Sequence, residues 1–179
     1  MRPDEARVPG LGGGRPPDGR LMVHWVLRHG EAGPAPDDAR RPLTPRGRSA
    51  VERLAHQAAA GGLVVAEIRH SGLLRARHTA EIMAAGPGTG ARVVEDPSLS
   101  PEAPWEPAAH LLETSARPLL LVGHLPHLAR LVGALTLGSE EPEPIRLVPA
   151  TLVGLLREAG RWQVVAVLTP SLPGSTPSG

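Results

Sequence analysis

The run Leu27-Arg28-His29-Gly30-Glu31-Ala32 follows the apolar stretch Leu21-Met22-Val23-His24-Trp25-Val26. A buried strand ending in arginine, histidine and glycine carries a guanidinium and an imidazole to the C-terminal edge of a sheet, where α/β enzymes place their chemistry. These groups suit attack on a phosphoryl group, with the imidazole as nucleophile and guanidinium forks holding the oxygens. An Arg-His-Gly tripeptide also arises by chance, so its weight comes from its companions. His70-Ser71-Gly72-Leu73-Leu74-Arg75-Ala76-Arg77-His78-Thr79 follows a second apolar run, and Gly123-His124-Leu125-Pro126 a later one. On parallel strands all three junctions share one sheet edge, which brings His29 and His124 together with Arg28 and Arg75. That set reads as an anion site, to which the amides at a helix start add further donors. His124 and His127 have a spacing that could suit a metal. Leu125-Pro126 between them opens a helix and no carboxylate cluster accompanies them, so neither a metal nor a cofactor is expected.

The elements that must position these groups follow from the alternation of apolar runs and amphipathic segments. Strands are expected near Met22 to Leu27, Val64 to Arg69, Arg92 to Glu95 and Leu119 to Val122, with helices near Pro45 to Ala60, Leu73 to Ala85, Glu106 to Ser115 and Pro126 to Leu137. Thr44 as N-cap with Pro45 behind it opens the first helix, and Gly61-Gly62 stops it. Two closing strands, near Leu152 to Leu156 and Gln163 to Leu168, are joined through Glu158-Ala159-Gly160. The expected fold class is α/β: a single-domain three-layer sandwich, with a mostly parallel sheet, an antiparallel edge strand from the closing hairpin and helices on both faces. Residues 21–169 form the domain. The Pro- and Gly-rich segments 1–20 and 170–179 read as disordered tails, and Gly10-Leu11-Gly12-Gly13-Gly14 as linker, because no strand precedes it.

Composition narrows the chemistry further. The chain has 179 residues, 41% of them apolar, enough for one packed core. Phe and Tyr are absent, so Leu, Val, Ala and Ile build that core with only three Trp as aromatic bulk. All 19 basic residues are arginine and there is no cysteine, which excludes P-loop and Schiff-base lysines, thiolate catalysis, disulfides and thiolate zinc sites. A net charge of +1 without a basic, aromatic-interleaved patch gives no reason to expect a nucleic-acid partner. No apolar run reaches the length of a membrane span and the N-terminus lacks a signal-peptide core, so a cytoplasmic protein without a membrane partner is expected. The oligomeric state leaves no mark on the sequence.

Arg28-His29-Gly30, Arg41-Pro42-Leu43-Thr44 with Gly47, Ser71 with Leu74-Arg75-Ala76 and Thr79, and Gly123-His124-Leu125-Pro126 together resemble the histidine phosphatase superfamily, and within it the short SixA-type phosphohistidine phosphatases. The resemblance covers most of residues 22–168. It implies that His29 accepts the phosphoryl group, that Arg28, Arg75 and His124 hold its oxygens, and that Arg41 is an accessory phosphate contact. Neighbouring guanidiniums keep such an imidazole neutral, and the Gly30 carbonyl is placed to fix its tautomer. The chain departs from the pattern at Gly72, at His78, and at Ser100 in Pro97-Ser98-Leu99-Ser100-Pro101-Glu102, where the mutase and ester-phosphatase branches carry an acidic proton donor. Glu102, Asp38 and Glu31 remain as candidate acids. An ester oxygen leaves poorly without protonation, whereas imidazole, with a conjugate acid of pKa about 6.5, leaves readily. The resemblance therefore implies phosphatase action on a phosphohistidine-bearing protein; a small-molecule phosphomonoesterase and a non-catalytic phosphate-binding module are the alternatives.

Overall fold

Alternation of side chains along a strand sends successive residues to opposite faces, and the central strands use both faces for core. In the computed structural model, which describes residues 21–170 apart from 88 and 142, Leu27, Leu120 and Val122 face one layer while Val26, Leu119 and Leu121 face the other. The expected tails at 1–20 and 171–179, and the Gly10 to Gly14 linker, lie outside the described residues.

Six strands form one sheet: β1 (Val23–Arg28), β2 (Glu67–His70), β3 (Arg92–Glu95), β4 (Leu119–Gly123), β5 (Leu152–Glu158) and β6 (Arg161–Leu168), in spatial order β3-β2-β4-β1-β5-β6. β3, β2, β4 and β1 are parallel neighbours, with Arg28 opposite Gly123 and His70 opposite Val122 at their C-terminal ends. The closing hairpin fills the far edge. β5 runs antiparallel to β1, and β6, the edge strand, runs antiparallel to β5 and so returns in the direction of β1.

Helices α1 (Pro45–Ala60) and α2 (Leu74–Ala85) cover one face; α3 (Glu106–Thr114) and α4 (His127–Leu137) cover the other. α1 forms as its sequence dictates: Thr44 accepts from the Gly47 amide at 2.9 Å, Pro45 occupies the first turn, and Val51, Leu54, Ala55 and Ala58 make one buried stripe. In α2 the buried stripe is Ala76, Thr79, Ala80 and Met83. Arg75, one position before Ala76, is carried into the interior with it at 5% exposure. Two short 3₁₀ turns, at Asp38–Arg40 and Pro97–Leu99, lie in the loops after β1 and β3.

Candidate active site

Three strand ends deliver the site. Arg28 closes β1 and His29 follows it, Ser71 and Arg75 lie beyond β2, and His124 follows β4. The sheet holds them in register: the His29 amide donates to the Gly123 carbonyl at 3.1 Å, and the Gly30 amide donates to Thr79 Oγ1 at 3.1 Å, which itself donates to the Arg75 carbonyl at 2.7 Å. Gly30 must be glycine. A Cβ there would stand 2.7 Å from Val51 Cγ2 and 3.1 Å from the Gly47 carbonyl, so helix α1 can approach the β1 end only because nothing projects from it.

Around these groups lies a cleft of about 440 Å³, into which Arg28, His29, Asp38, Arg41, Arg75 and His124 all contribute. The His29 and His124 rings are 4.8 Å apart, tilted by 51°. His29 Nδ1 donates to its neighbour's carbonyl, Gly30 O, at 2.7 Å. A carbonyl oxygen only accepts, so the proton is on Nδ1 and the lone pair on Nε2. The His29 pKa is lowered to about 4, first by burial and further by Arg75, Arg28 and Arg41, against the Gly30 bond that raises it. At neutral pH the ring is therefore neutral, with the Nε2 lone pair free and cations around it.

His124, only 2% exposed, pairs through Nε2 with Ser71 Oγ at 2.6 Å. Burial lowers its pKa to about 3, with the charges of His29 and Arg75 adding to the effect. The other ring nitrogen, Nδ1, is buried like Arg28 Nε, and neither finds a hydrogen-bond partner among the described residues. Buried polar atoms are normally paired. With Ser71 donating to Nε2 the ring proton is on Nδ1; with His124 donating to the hydroxyl it is on Nε2. Arg28 is steadied by Nη1, which donates to the Leu147 carbonyl at 2.7 Å. The segment that supplies this carbonyl is itself tied down by the Ala150 amide, donating to the carbonyls of both Arg28 and His29 at 3.1 Å. Sequence reading gave no sign of this support, because an alanine does not announce the left-handed backbone, φ 62°, that Ala150 adopts.

The remaining candidates divide. Arg41 lines the cleft, but it spans its own loop, with Nε on the Gly33 carbonyl at 3.0 Å and Nη2 on the Ala32 carbonyl at 3.4 Å. Asp38 also lines the cleft, as a carboxylate rather than an acid. Its side chain accepts from Arg75 Nη2 at 3.0 Å and Arg41 Nη1 at 3.3 Å, and these bonds, Arg75 first, hold its pKa below the usual range. Glu31 lies in the cleft wall and accepts from Thr44 Oγ1 at 2.9 Å. Glu102 is exposed and outside the cleft, which its neighbour Pro101 lines instead, so it is not positioned as a proton donor. His127 is fully buried at the start of α4, and His24 is buried inside β1. Arg77 and Arg130 are surface cations paired with Glu81 and Glu140. Among the described residues no group of three or more His, Asp or Glu could hold a metal ion.

Comparison with known proteins gives the family and the fold. Residues 24–101 match the model of the histidine phosphatase superfamily (branch 1). An uncharacterised protein of Picosynechococcus sp. is 35% identical over 150 residues, 79% of this chain and 89% of that protein. The structure of the protein histidine phosphatase SixA complexed with tungstate superposes with a TM-score of 0.74 at 25% identity, covering 83% of this chain and 97% of that one. A phosphoserine phosphatase mutant from Entamoeba histolytica, in complex with phosphoserine, superposes at 0.61 with 16% identity over 81% of this chain and 95% of its own. At that identity the second likeness concerns the fold alone.

Proposed function

We propose that this chain, which belongs to the histidine phosphatase superfamily (branch 1), removes phosphate from phosphohistidine on a protein partner through a covalent phosphohistidine intermediate on His29. Phosphatase chemistry is what the family and the cleft have in common. The finer reading rests on one observation: the cleft presents an oriented nucleophile and several cations, while both of its carboxylates already accept from neighbouring donors.

In the first step His29 Nε2 attacks phosphorus and forms the N–P bond as the bond to the leaving group breaks. Arg28, Arg75 and His124 hold the equatorial oxygens, where charge accumulates. The departing electron pair goes to the leaving atom. A phosphohistidine ring already protonated on its far nitrogen accepts it and leaves as neutral imidazole, whose conjugate acid has a pKa of about 6.5; an alkoxide, without an acid beside it, does not leave easily. In the second step water attacks the phosphoryl group, the N–P bond breaks, and His29 regains its lone pair. The SixA structure, described as a protein histidine phosphatase, supports the same substrate class. We further take the protein to be cytoplasmic; no helix among the described residues is long and apolar enough to cross a membrane.

A panel of phosphohistidine peptide, phosphoserine peptide, phosphotyrosine peptide and a sugar phosphate at equal concentration tests the proposal. Phosphohistidine should be turned over well ahead of the alkyl esters, by about the hundredfold to ten-thousandfold that general-acid help is worth, and Glu102→Gln should change its rate by less than about tenfold. A sugar phosphate or phosphoserine as best substrate, with Glu102→Gln crippling the enzyme, would overturn it.

A further inference from the structure

We propose that Asp38 sets the charge selectivity of the cleft: it disfavours substrates with negative charge on the leaving group and favours neutral or cationic ones. The inference rests on the reading of Arg75 as a phosphoryl ligand and extends it to the part of the substrate beyond the phosphorus.

The guanidinium expected to grip the phosphoryl group is the one that Asp38 already holds. Arg75 Nη1 donates to the Asp38 main-chain carbonyl at 2.8 Å and Nη2 to its Oδ2 at 3.0 Å, so the two ends of the fork meet the same residue. The exposures of the two partners are unequal. The Arg75 side chain is 6% exposed and the Asp38 side chain 63%, so the cation lies deep and the anion lies at the mouth. A buried guanidinium without a counter-charge is costly, and Asp38 supplies that charge when no phosphoryl group is bound.

The carboxylate is also held in place. Its loop is stitched at the base, where the Gly33 amide donates to the Pro42 carbonyl at 2.8 Å and the Thr44 amide to the Glu31 carbonyl at 2.9 Å. Arg41 then ties Asp38 Oδ1 to the same loop at 3.3 Å. A substrate phosphoryl competes with this carboxylate for Arg75 but does not remove it from the rim. Because displacement at phosphorus is in line, the leaving group departs on the side opposite His29; to reach solvent it leaves a cleft whose lining includes the exposed Asp38 carboxylate. Negative charge on the leaving group meets Asp38 there. The imidazole or imidazolium of phosphohistidine does not suffer that repulsion, whereas a carboxylate-bearing alcohol does. Glu143, which acts electrostatically on Arg28, contributes charge of the same sign.

Three aryl phosphates serve as probes: phenyl phosphate, 4-carboxyphenyl phosphate and 4-(aminomethyl)phenyl phosphate. The quantity read is the ratio of kcat/KM for the aminomethyl over the carboxy compound, each normalised to its rate in Asp38→Asn so that intrinsic leaving ability cancels. The wild-type enzyme should favour the cationic compound by about fivefold over the variant's ratio, the scale of a partly exposed charge pair. The preference should shrink toward the variant's value in about 1 M salt, where the screening length falls to about 3 Å. Asp38→Ala should match Asp38→Asn, and a lost hydrogen bond or a looser loop alone would not produce the salt dependence. Should neither variant fold, a raw wild-type ratio that does not fall in salt still overturns the inference. A ratio equal in wild type and variants, or indifferent to salt, overturns the inference while leaving the phosphatase reading intact. Absence of any phosphoenzyme with phosphohistidine peptide as well as with these three compounds would instead overturn the phosphatase reading.

Discussion

Acidification from about pH 7 to about pH 5 should destabilise the fold through its neutral buried histidines. The pKa values of His24 and His29 are lowered to about 4 and that of His124 to about 3, with burial the largest cause in each. In the unfolded chain all three return to about 6.5. A group whose folded pKa is depressed in this way contributes its full stability above the unfolded value, and the contribution falls as pH drops toward the folded value. At about pH 5 the unfolded chain has bound nearly three protons that the native state refuses, which costs about 2 kcal/mol for each histidine, or about 6 kcal/mol together. That is comparable with the whole stability of a domain, about 5–15 kcal/mol. His70 and His127, also lowered by burial, act in the same direction. Urea unfolding at the two pH values measures the loss. The His24→Leu variant isolates one share: His24 is 2% exposed inside β1, accepts from the Leu119 amide at 3.3 Å, and lies outside the cleft. The variant should be less stable than wild type at neutral pH, through the orphaned amide, yet lose only about 4 kcal/mol on acidification. A wild-type loss below about 2 kcal/mol, or an undiminished loss in the variant, would refute the reasoning.

Gly30→Ala should lower kcat by at least about tenfold, because its Cβ would land 2.7 Å from Val51 Cγ2 and push the Gly30 carbonyl off His29 Nδ1. Steady-state kinetics with a thermal melt separates that loss from unfolding. Ser71→Ala removes the hydroxyl that pairs with His124 Nε2 and should reduce kcat/KM by about tenfold, with Ser71→Thr restoring part of it. Vanadate, which imitates the pentacoordinate phosphoryl group, should compete with substrate in the wild-type enzyme and bind more weakly to Arg75→Ala, as direct titration would reveal.

Local signals were strong enough to be read directly. The Thr44 cap, Pro45 behind it and the Gly61-Gly62 stop define α1 from the sequence alone. The expected bond from the Gly30 carbonyl to the far ring nitrogen of His29 is present at 2.7 Å. Strand β2 was less legible. The apolar pair Val64-Val65 suggests an early start, but Val64 is 60% exposed and the strand begins at Glu67, a buried carboxylate bonded to Arg69 at 2.6 Å and Arg92 at 2.7 Å. Apolar periodicity has no means of registering a buried ion pair. The support of the site was hidden for a related reason. Arg28 is anchored by a main-chain carbonyl 119 positions away, and every residue type carries that carbonyl. Asp38 was visible as an acid near the motif, yet its partner Arg75 is 37 positions distant, and only the folded loop turns a candidate proton donor into an ion-paired carboxylate.

The central claim is that His29 becomes covalently phosphorylated. Rapid quenching of the wild-type enzyme with phosphohistidine peptide or para-nitrophenyl phosphate, followed by peptide mapping, should find phosphate on His29, stable in base and lost in acid. His29→Ala should fold, show no phosphoenzyme and retain less than a few per cent of turnover. Turnover by that variant above a few per cent of the wild-type rate, or phosphate found on another residue, would contradict the account.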